Sequence, residues 1–220
     1  MIATSCIPRR RSADGFTLKD LLVVSAIIAL LAVTSLPYLA KARSRARSVC
    51  CNCNLKQISL GAKQWALDHK DSFPMGLSTN LGGTKEWIAT GETFRHFEVM
   101  SNELNTPMVL VCPSDRERTP LRSFSPALSN SNLSYFVSLI ANDSEPQMVL
   151  AGDRNIFSGV RPANGVVGLT TNNVAHWGPG LHRGQGNVAL ADGSVQGLSS
   201  SRLREALRNS GAQTNWLQLP

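Results

Sequence analysis

The most constraining feature of this chain is a 20-residue window, residues 21–40, that contains no charged side chain. At about 1.5 Å of rise per residue, a helix over this window is roughly 30 Å long, the thickness of the hydrocarbon core of a bilayer. Mean hydropathy over the 220 residues is only −0.08, and 42% of them are hydrophobic. This composition excludes a multi-span membrane protein and a disordered chain. We expect one membrane anchor followed by a soluble body.

The segment before the window is basic, with Arg9, Arg10 and Arg11. A basic segment followed by an apolar one is typical of a targeting signal. The pattern alone leaves open an uncleaved anchor or a secretory signal cut after Ala42, although an ordinary signal has an apolar core of only about 7–15 residues. Charge counting does not orient the span, because four basic residues lie near each of its ends. Those on the far side are Lys41, Arg43, Arg45 and Arg47.

Residues 15–24 read Gly-Phe-Thr-Leu-Lys-Asp-Leu-Leu-Val-Val and continue as Ser-Ala-Ile-Ile-Ala-Leu-Leu-Ala. This string closely resembles the leader signal of type IV pilins and type II secretion pseudopilins. The resemblance implies that a prepilin peptidase cuts on the cytoplasmic side after Gly15, and that Phe16 becomes the N-methylated first residue. In that family a Glu at the fifth mature position pairs with the N-terminus of a neighbouring subunit. Asp20 occupies this position here and keeps the charge on a shorter side chain.

A carboxylate at the point where a span enters lipid needs a partner, because its burial is costly even near a helix end. The freed α-amine of Phe16 would be that partner, since methylation keeps its positive charge. Asp20 would then set the register of subunits in a filament. The competing interpretation is that Lys19 and Asp20 are solvated residues at the end of a helix.

Beyond the window, Leu55, Ile58, Ala62 and Trp65 recur at steps of three and four residues, which predicts an amphipathic helix. Pro37 should kink the long helix without ending it. We therefore predict an α+β, pilin-like fold in which the long N-terminal helix packs on a small antiparallel sheet. The predicted organisation is a leader (1–15), a transmembrane and assembly helix (16–40), an amphipathic stem (41–72) and a β-rich periplasmic head (73–220).

Within the head, short apolar runs broken by turn residues predict strands at residues 108–112, 133–140, 147–151, 187–191 and 194–198. Asp192-Gly193 between the last two is a strong hairpin signal. Residues 158–186 are rich in Gly, Asn and Pro and predict a long surface loop. Residues 199–210 predict a short terminal helix that stops at Gly211.

Four cysteines follow the leader. Cys50 and Cys53 form a CxxC on the stem, and the string Cys112-Pro113-Ser114-Asp115 resembles an element of pseudopilin-like proteins. We expect a disulfide that ties the stem to the head through Cys112 and clamps the sheet to the helix. A zinc site and free buried thiols are the alternatives, although the second CxxC typical of zinc sites is missing.

His182 is followed after nine residues by Asp192 and Gly193, which resembles the H-X9-DG element near the C-terminus of many prepilin-like proteins. The resemblance assigns it no role, and Asp192 is also explained as a turn residue. His182 with His176 and Asp153 would be a metal cluster only if the fold joined them. Calcium occurs in the heads of major pseudopilins, but no cofactor or metal site is assigned. Asn172, Asn173, Asp153 and Asp192 are the available oxygen donors for calcium.

The sequence contains no recognisable nucleophile, metalloprotease, phosphate-loop or dinucleotide motif, so we expect a structural subunit rather than an enzyme. The resemblance implies a pseudopilin-like subunit of a type II secretion system. Its partners would be prepilin peptidase, other pseudopilins, the inner-membrane secretion platform and the lipid bilayer, with no nucleic acid. It would lie in the bacterial inner membrane with a cytoplasmic N-terminus and a periplasmic head. The alternatives are a minor type IV pilus subunit, for adhesion, motility or DNA uptake, and a membrane-tethered periplasmic enzyme or binding module.

Overall fold

A computed structural model describes residues 15, 17–159, 164–170 and 175–220. Within this part the fold is α+β, with one long N-terminal helix packed on a small antiparallel sheet, as the sequence predicts. The chain divides into two compact units, Met1–Arg43 and Ser44–Pro220, and the boundary falls within the long helix.

The long helix, α1, runs from Leu18 to Asp68 and contains Pro37 in its interior. Its described side chains from Thr17 to Arg43 are all exposed, whereas one face of its C-terminal part is buried. This face repeats at three- and four-residue steps, which is the spacing of one side of an α-helix. It includes the four residues predicted from the sequence, and its full set is Cys51, Leu55, Ile58, Ser59, Gly61, Ala62, Trp65 and Ala66.

The head contains a six-stranded antiparallel sheet in the order β4-β8-β1-β2-β6-β7 and a two-stranded sheet of β3 and β5. The strands are β1 (Tyr135–Ser138), β2 (Val149–Asp153), β3 (Ile156–Phe157), β4 (Val166–Thr170), β5 (His176–Trp177), β6 (Gly186–Leu190), β7 (Val195–Leu198) and β8 (Thr214–Gln218). Three further helices are α2 (Arg95–Glu98), α3 (Ser101–Leu104) and α4 (Ser200–Asn209).

The six-stranded sheet separates two apolar clusters, because alternate side chains of a strand point to opposite faces. On β1, Tyr135 and Val137 belong to the cluster that contains the buried face of α1. Phe136 between them belongs to the second cluster, together with Leu203 and Leu207 of α4. The stem part of α1 therefore covers one face of the sheet and α4 covers the other.

Most of the predicted elements are present, with two corrections. Residues 107–110 form a 3-10 helix with Pro107 in its first turn, so the strand predicted at residues 108–112 is wrong. Pro107 cannot donate a ladder hydrogen bond, and Thr106 caps the turn by accepting from the backbone N–H of Met108. The long loop predicted for residues 158–186 is interrupted by β4 and β5. The last strand, β8, was not predicted because it lies beyond the terminal helix and lacks a turn signal.

Candidate functional site

The N-terminal end of α1 is closed by a reciprocal pair of hydrogen bonds between Thr17 and Asp20. The Oδ2 atom of Asp20 accepts from the backbone N–H of Thr17 at 2.9 Å and from its hydroxyl at 2.8 Å. The backbone N–H of Asp20 in turn donates to Oγ1 of Thr17 at 3.4 Å. This is a capping box, which satisfies donors that the first turn of a helix leaves unpaired. Asp20 thus has a local partner, and because a carboxylate accepts about four hydrogen bonds it can take an additional cation.

Around the expected cleavage point, Gly15 is exposed, and none of the described residues beyond its chain neighbours has an atom within 4 Å of the position of a Cβ on this residue. A backbone without side-chain obstruction is what a peptidase needs to approach the bond closely. Phe16, the expected first mature residue, lies outside the described residues. The part of α1 that follows is long and apolar enough to cross a membrane, with a hydropathy of 2.3 in its most apolar window.

The stem is covalently joined to the head by a disulfide between Cys51 and Cys112. The predicted link through Cys112 is present, but its partner on the stem is neither Cys50 nor Cys53, which are free and exposed. The reason is helical geometry, because Cys51 precedes Leu55 by one turn and shares its buried face. Cys50 and Cys53 are rotated by about 100° and 200° from Cys51 at 3.6 residues per turn. The apolar periodicity was a signal that could have identified Cys51 from the sequence.

His182 packs against this disulfide and against a buried carboxyl group. Its Nε2 atom lies 3.5 Å from Sγ of Cys112 and 3.4 Å from Oδ2 of Asp153. The Oδ2 atom of Asp153 also accepts from the backbone N–H and the side-chain amide of Asn187, at 2.7 and 2.9 Å. Both Asp153 and its cross-strand neighbour Tyr135 are fully buried on the face of the sheet that α1 covers.

Burial disfavours the charged form of both members of this pair. It raises the pKa of Asp153 from 3.8 to about 7, against the opposing hydrogen bonds from Asn187. It lowers the pKa of His182, so the imidazole is neutral at pH 7 and the 3.4 Å contact is not an ion pair. The Oδ1 atom of Asp153 is buried without a hydrogen-bond partner among the described residues.

The loop that carries His182 is held by a side chain that the sequence analysis did not identify, Asn155. Its Nδ2 atom donates to the carbonyl oxygens of Gly178, Leu181 and Gln185, at 2.9, 3.3 and 3.2 Å. His182 itself has a φ of 46° in a run of left-handed residues, a conformation uncommon outside glycine. The surrounding loop must stabilise this backbone, and the hydrogen bonds from Asn155 to residues on both sides of His182 do so.

The Asp192-Gly193 end of the same element is a turn that docks on α1. Oδ1 of Asp192 accepts from the backbone N–H of Ser194 at 2.7 Å, and Gly193 has a φ of 88°. Lys56 donates to the carbonyl of Gly193 at 2.6 Å, and Lys63 donates to that of Ala191 at 3.1 Å. Burial opposes ionisation of Asp192, but the hydrogen bonds from Ser194 and the two lysine charges hold its pKa below the ordinary value. His182 and Gly193 therefore mark two places where the head contacts the stem.

The Cys112-Pro113-Ser114-Asp115 string ends in a partly buried ion pair. Arg154 donates to both carboxylate oxygens of Asp115, at 2.7 and 3.0 Å, and Ser134 donates to one of them at 2.9 Å. Burial raises the pKa of Asp115, but the pairing with Arg154 and Ser134 outweighs it and keeps the pKa below the ordinary value. Arg154 also lines an apolar cleft of about 680 Å³ with Ile156 and Leu169. Because its guanidinium group is hydrogen-bonded to Asp115, we assign Arg154 a structural role.

The metal clusters considered from the sequence differ from the group of potential metal ligands that lies together in the structure. His176 lies on β5, where its ring stacks on Phe157 with 5.9 Å between the centroids. Within the part that the structure describes, three metal-ligating side chains converge at one place, with their ligand atoms all within 4.8 Å of one another: Cys51, Cys112 and His182. Of the four oxygen donors considered for calcium, Asn172 and Asn173 lie outside the described residues, and Asp153 and Asp192 have the local partners given above.

Comparison with models of protein families, with curated proteins and with solved structures gives no match for this chain.

Proposed function

We propose that this chain is a pseudopilin-like structural subunit of a type II secretion system. It is cut after Gly15 by prepilin peptidase, held in the inner membrane by residues 16–40, and assembled into a periplasmic filament. The observation that carries the proposal is the string Gly15 to Val24 at the start of a long apolar helix. It joins a cleavage motif to the one described helix that is able to span a membrane.

The exposure of the N-terminal half of α1 supports assembly. Large apolar side chains such as Leu22, Ile28 and Leu31 are 60% exposed or more. Burying apolar surface stabilises by about 25 cal/mol per Å², so a helix of this kind requires lipid or other protein around it. A lipid-embedded subunit that transfers its helix into a bundle of similar helices keeps this surface out of water at both stages.

The polar end of the helix supports a role for Asp20 in register. The capping box orients its carboxylate at the first turn, next to the position where the new N-terminus would be. In an apolar bundle a charged N-terminal amine and a carboxylate attract strongly, because the effective dielectric constant is low. Each subunit would then be aligned by an ion pair between its Asp20 and the amine of a neighbour.

N-terminal processing tests the proposal directly. The full chain is expressed in cells with active prepilin peptidase, extracted from membranes and analysed by mass spectrometry and N-terminal sequencing. We expect a protein that begins with N-methylated Phe16, and the uncut chain in cells that lack the peptidase. Gly15→Leu should block the cut, whereas the neighbouring control Ala13→Leu should not. A wild-type chain that begins at Met1 or Arg43 in peptidase-active cells contradicts the proposal.

Deleting the gene for this chain from its host distinguishes a role in type II secretion from a role in a type IV pilus. Loss of protein export, with cargo retained in the periplasm, supports a type II secretion filament. Loss of surface pili, motility or DNA uptake with normal export assigns the chain to a type IV pilus instead. Normal behaviour in both assays favours the membrane-tethered enzyme or binding module.

A further inference from the structure

We propose that Cys51, Cys112, His182 and Asp153 form a site for a zinc-type divalent cation when the Cys51–Cys112 disulfide is reduced. The disulfide and the cation are then mutually exclusive states of the same cluster. The inference concerns the contact between the stem and the head and does not depend on the proposed function.

The first argument is the set of donors. Two thiolates, one imidazole nitrogen and one carboxylate oxygen are ligands that Zn²⁺ takes in tetrahedral sites. The ligand atoms of Cys51, Cys112 and His182 already lie within 4.8 Å of one another. The carboxyl group of Asp153 lies outside that set and meets it at His182, with Oδ2 3.4 Å from Nε2, so it has to shift towards the sulfurs to become the fourth ligand.

The second argument is the spacing of the donors. With Zn–S bonds of about 2.3 Å and Zn–N or Zn–O bonds of about 2.0–2.1 Å, a tetrahedral site has S···N edges of about 3.5 Å and N···O edges of about 3.3 Å. The corresponding S···N distance is 3.5 Å from Cys112 Sγ to His182 Nε2. Oδ2 of Asp153 lies 3.4 Å from the same nitrogen, which brings the carboxyl group and its open Oδ1 atom next to the imidazole. The Cα atoms of the two cysteines are 5.0 Å apart, so rotation of their side chains can separate the sulfurs once the bond is broken.

The third argument is the unsatisfied polarity around the carboxyl group. Asp153 is fully buried, and its Oδ1 atom has no hydrogen-bond partner among the described residues. A buried carboxylate with an open oxygen is costly unless a cation is nearby. Asn187 holds the other oxygen with two hydrogen bonds, which is the supporting arrangement that ligating carboxylates have.

The fourth argument is preorganisation and access. His182 is kept in a left-handed backbone conformation by a loop that Asn155 pins through three hydrogen bonds. Strain of this kind is often retained at functional sites. The imidazole is 8% exposed, so a cation can reach the cluster from the surface side of His182.

The chemistry balances in two steps. An external dithiol reductant transfers two electrons to the Cys51–Cys112 bond by thiol–disulfide exchange, which leaves two thiols in the chain and a disulfide in the reductant. Zn²⁺ then binds both sulfurs as thiolates and displaces two protons to solvent. In the reverse direction, an external disulfide oxidant accepts the two electrons by thiol–disulfide exchange and becomes a dithiol with two protons from solvent, which re-forms the Cys51–Cys112 bond and releases the cation.

Metal titration of the full chain in detergent tests the site, in a Cys6→Ser/Cys50→Ser/Cys53→Ser background that leaves Cys51 and Cys112 as the remaining cysteines. Co²⁺ is the optical probe and Zn²⁺ is the competitor. We expect the reduced chain to bind one Co²⁺ with thiolate-to-cobalt charge-transfer absorption that Zn²⁺ abolishes. The oxidised chain should bind none at this site. His182→Asn and Asp153→Asn, each made separately, should weaken Co²⁺ binding at least about tenfold. Asn is chosen at position 182 because it tolerates the left-handed backbone conformation.

Three results overturn the proposal. They are a reduced chain that binds no Co²⁺, binding that persists in Cys51→Ser/Cys112→Ser, and binding that His182→Asn and Asp153→Asn leave unchanged. If reduction unfolds the chain, circular dichroism will report it. Binding to an unfolded chain would be insensitive to His182 and Asp153, which counts as the third result.

Discussion

The ammonium group of Lys56 on α1 lies 2.6 Å from the carbonyl oxygen of Gly193 in the β6–β7 turn. This hydrogen bond joins residues 137 positions apart and attaches the turn of the H-X9-DG element to the stem. At the other end of the element, His182 packs on the disulfide that also holds the stem. The element therefore acts, at least in part, as a double attachment of the head to α1.

The left-handed glycine of that turn should be intolerant of a side chain. Gly193 has a φ of 88°, and a Cβ there would lie 3.5 Å from Lys63 and 3.7 Å from Ser59, which is ordinary contact. Backbone strain alone should therefore make Gly193→Ala less stable by about 1–2 kcal/mol. Gly76→Ala is the control, because its φ is not positive and, apart from its chain neighbours, no atom of the residues that the structure covers lies within 4 Å of its Cβ position. Chemical denaturation of both variants in detergent measures the difference, and equal stabilities would contradict the prediction.

The Cys51–Cys112 disulfide should account for much of the stability of the head. It closes a loop with a sequence separation of 61 residues, for which the chain-entropy model gives about 4 kcal/mol. We expect Cys51→Ala/Cys112→Ala to lose a free energy of unfolding of this order. The matched pair Cys50→Ala/Cys53→Ala removes exposed free thiols and should change stability by less than about 0.5 kcal/mol. A loss in the second pair equal to that in the first would mean that the thiols are paired differently.

The buried imidazole of His96 should make the head less stable in acid. It is fully buried, and its nitrogens lie 2.7 Å from Oγ1 of Thr84 and 2.8 Å from Oε1 of Gln218, which fits a neutral ring. Burial lowers its pKa from 6.5 to about 4, although the bond to Gln218 opposes this. As the pH falls, His96 is therefore protonated near pH 6.5 in the unfolded chain but only near pH 4 in the folded chain. The stabilising contribution is complete above pH 6.5 and falls by roughly 3 kcal/mol towards pH 4.

Comparison with His96→Gln isolates this contribution from those of other groups. The pKa of Asp153 is raised to about 7, so its contribution has the opposite sign, complete below pH 3.8 and lost as the pH rises through 7. The stability of the wild type alone would mix the two effects. The difference between wild type and His96→Gln should be constant between pH 7 and 8 and shrink steadily below 6.5. A difference independent of pH down to 4 would show that His96 does not titrate in this way.

Three substitutions at Asp20 separate helix capping from filament register. Asp20→Asn keeps an acceptor for the capping hydrogen bonds from Thr17 but removes the charge, whereas Asp20→Glu keeps the charge. If the carboxylate pairs with a neighbour's amine, Asp20→Glu should assemble, and Asp20→Asn and Asp20→Ala should not. All three should still insert into the membrane and be cleaved. The readout is the amount of filament sedimented from cells that co-express the secretion platform, and normal assembly of Asp20→Asn would reduce Asp20 to a capping residue.

Much of the architecture could be predicted because it depends on local patterns. The apolar period of Leu55, Ile58 and Ala62 marks the buried face of the stem, and Asp192-Gly193 marks the β6–β7 turn. The strand prediction at residues 108–112 failed because a short apolar run is compatible with either a strand or a helical turn. The apolar run after Pro107 forms a 3-10 helix instead of a strand, since a buried run of this length has no distinctive period.

The candidate site was less accessible to sequence reasoning. His182 and Cys112 were both singled out, but nothing in a spacing of 70 residues indicates that their side chains meet. Asn155 carries no motif, and its role in positioning His182 is visible only once the loop from Gly178 to Gln185 is folded around it.

The sequence by itself determined where an apolar helix begins, which face of the stem is buried and where the last hairpin turns. These features follow from helical and strand periodicity and from turn chemistry over a few residues. Only the tertiary structure decided that Cys51 is the cysteine that pairs with Cys112, that His182 lies beside the bond and that Asp153 lies beside His182. Residues this far apart in the chain meet only when the sheet packs on the helix, because that packing closes the long loops between them.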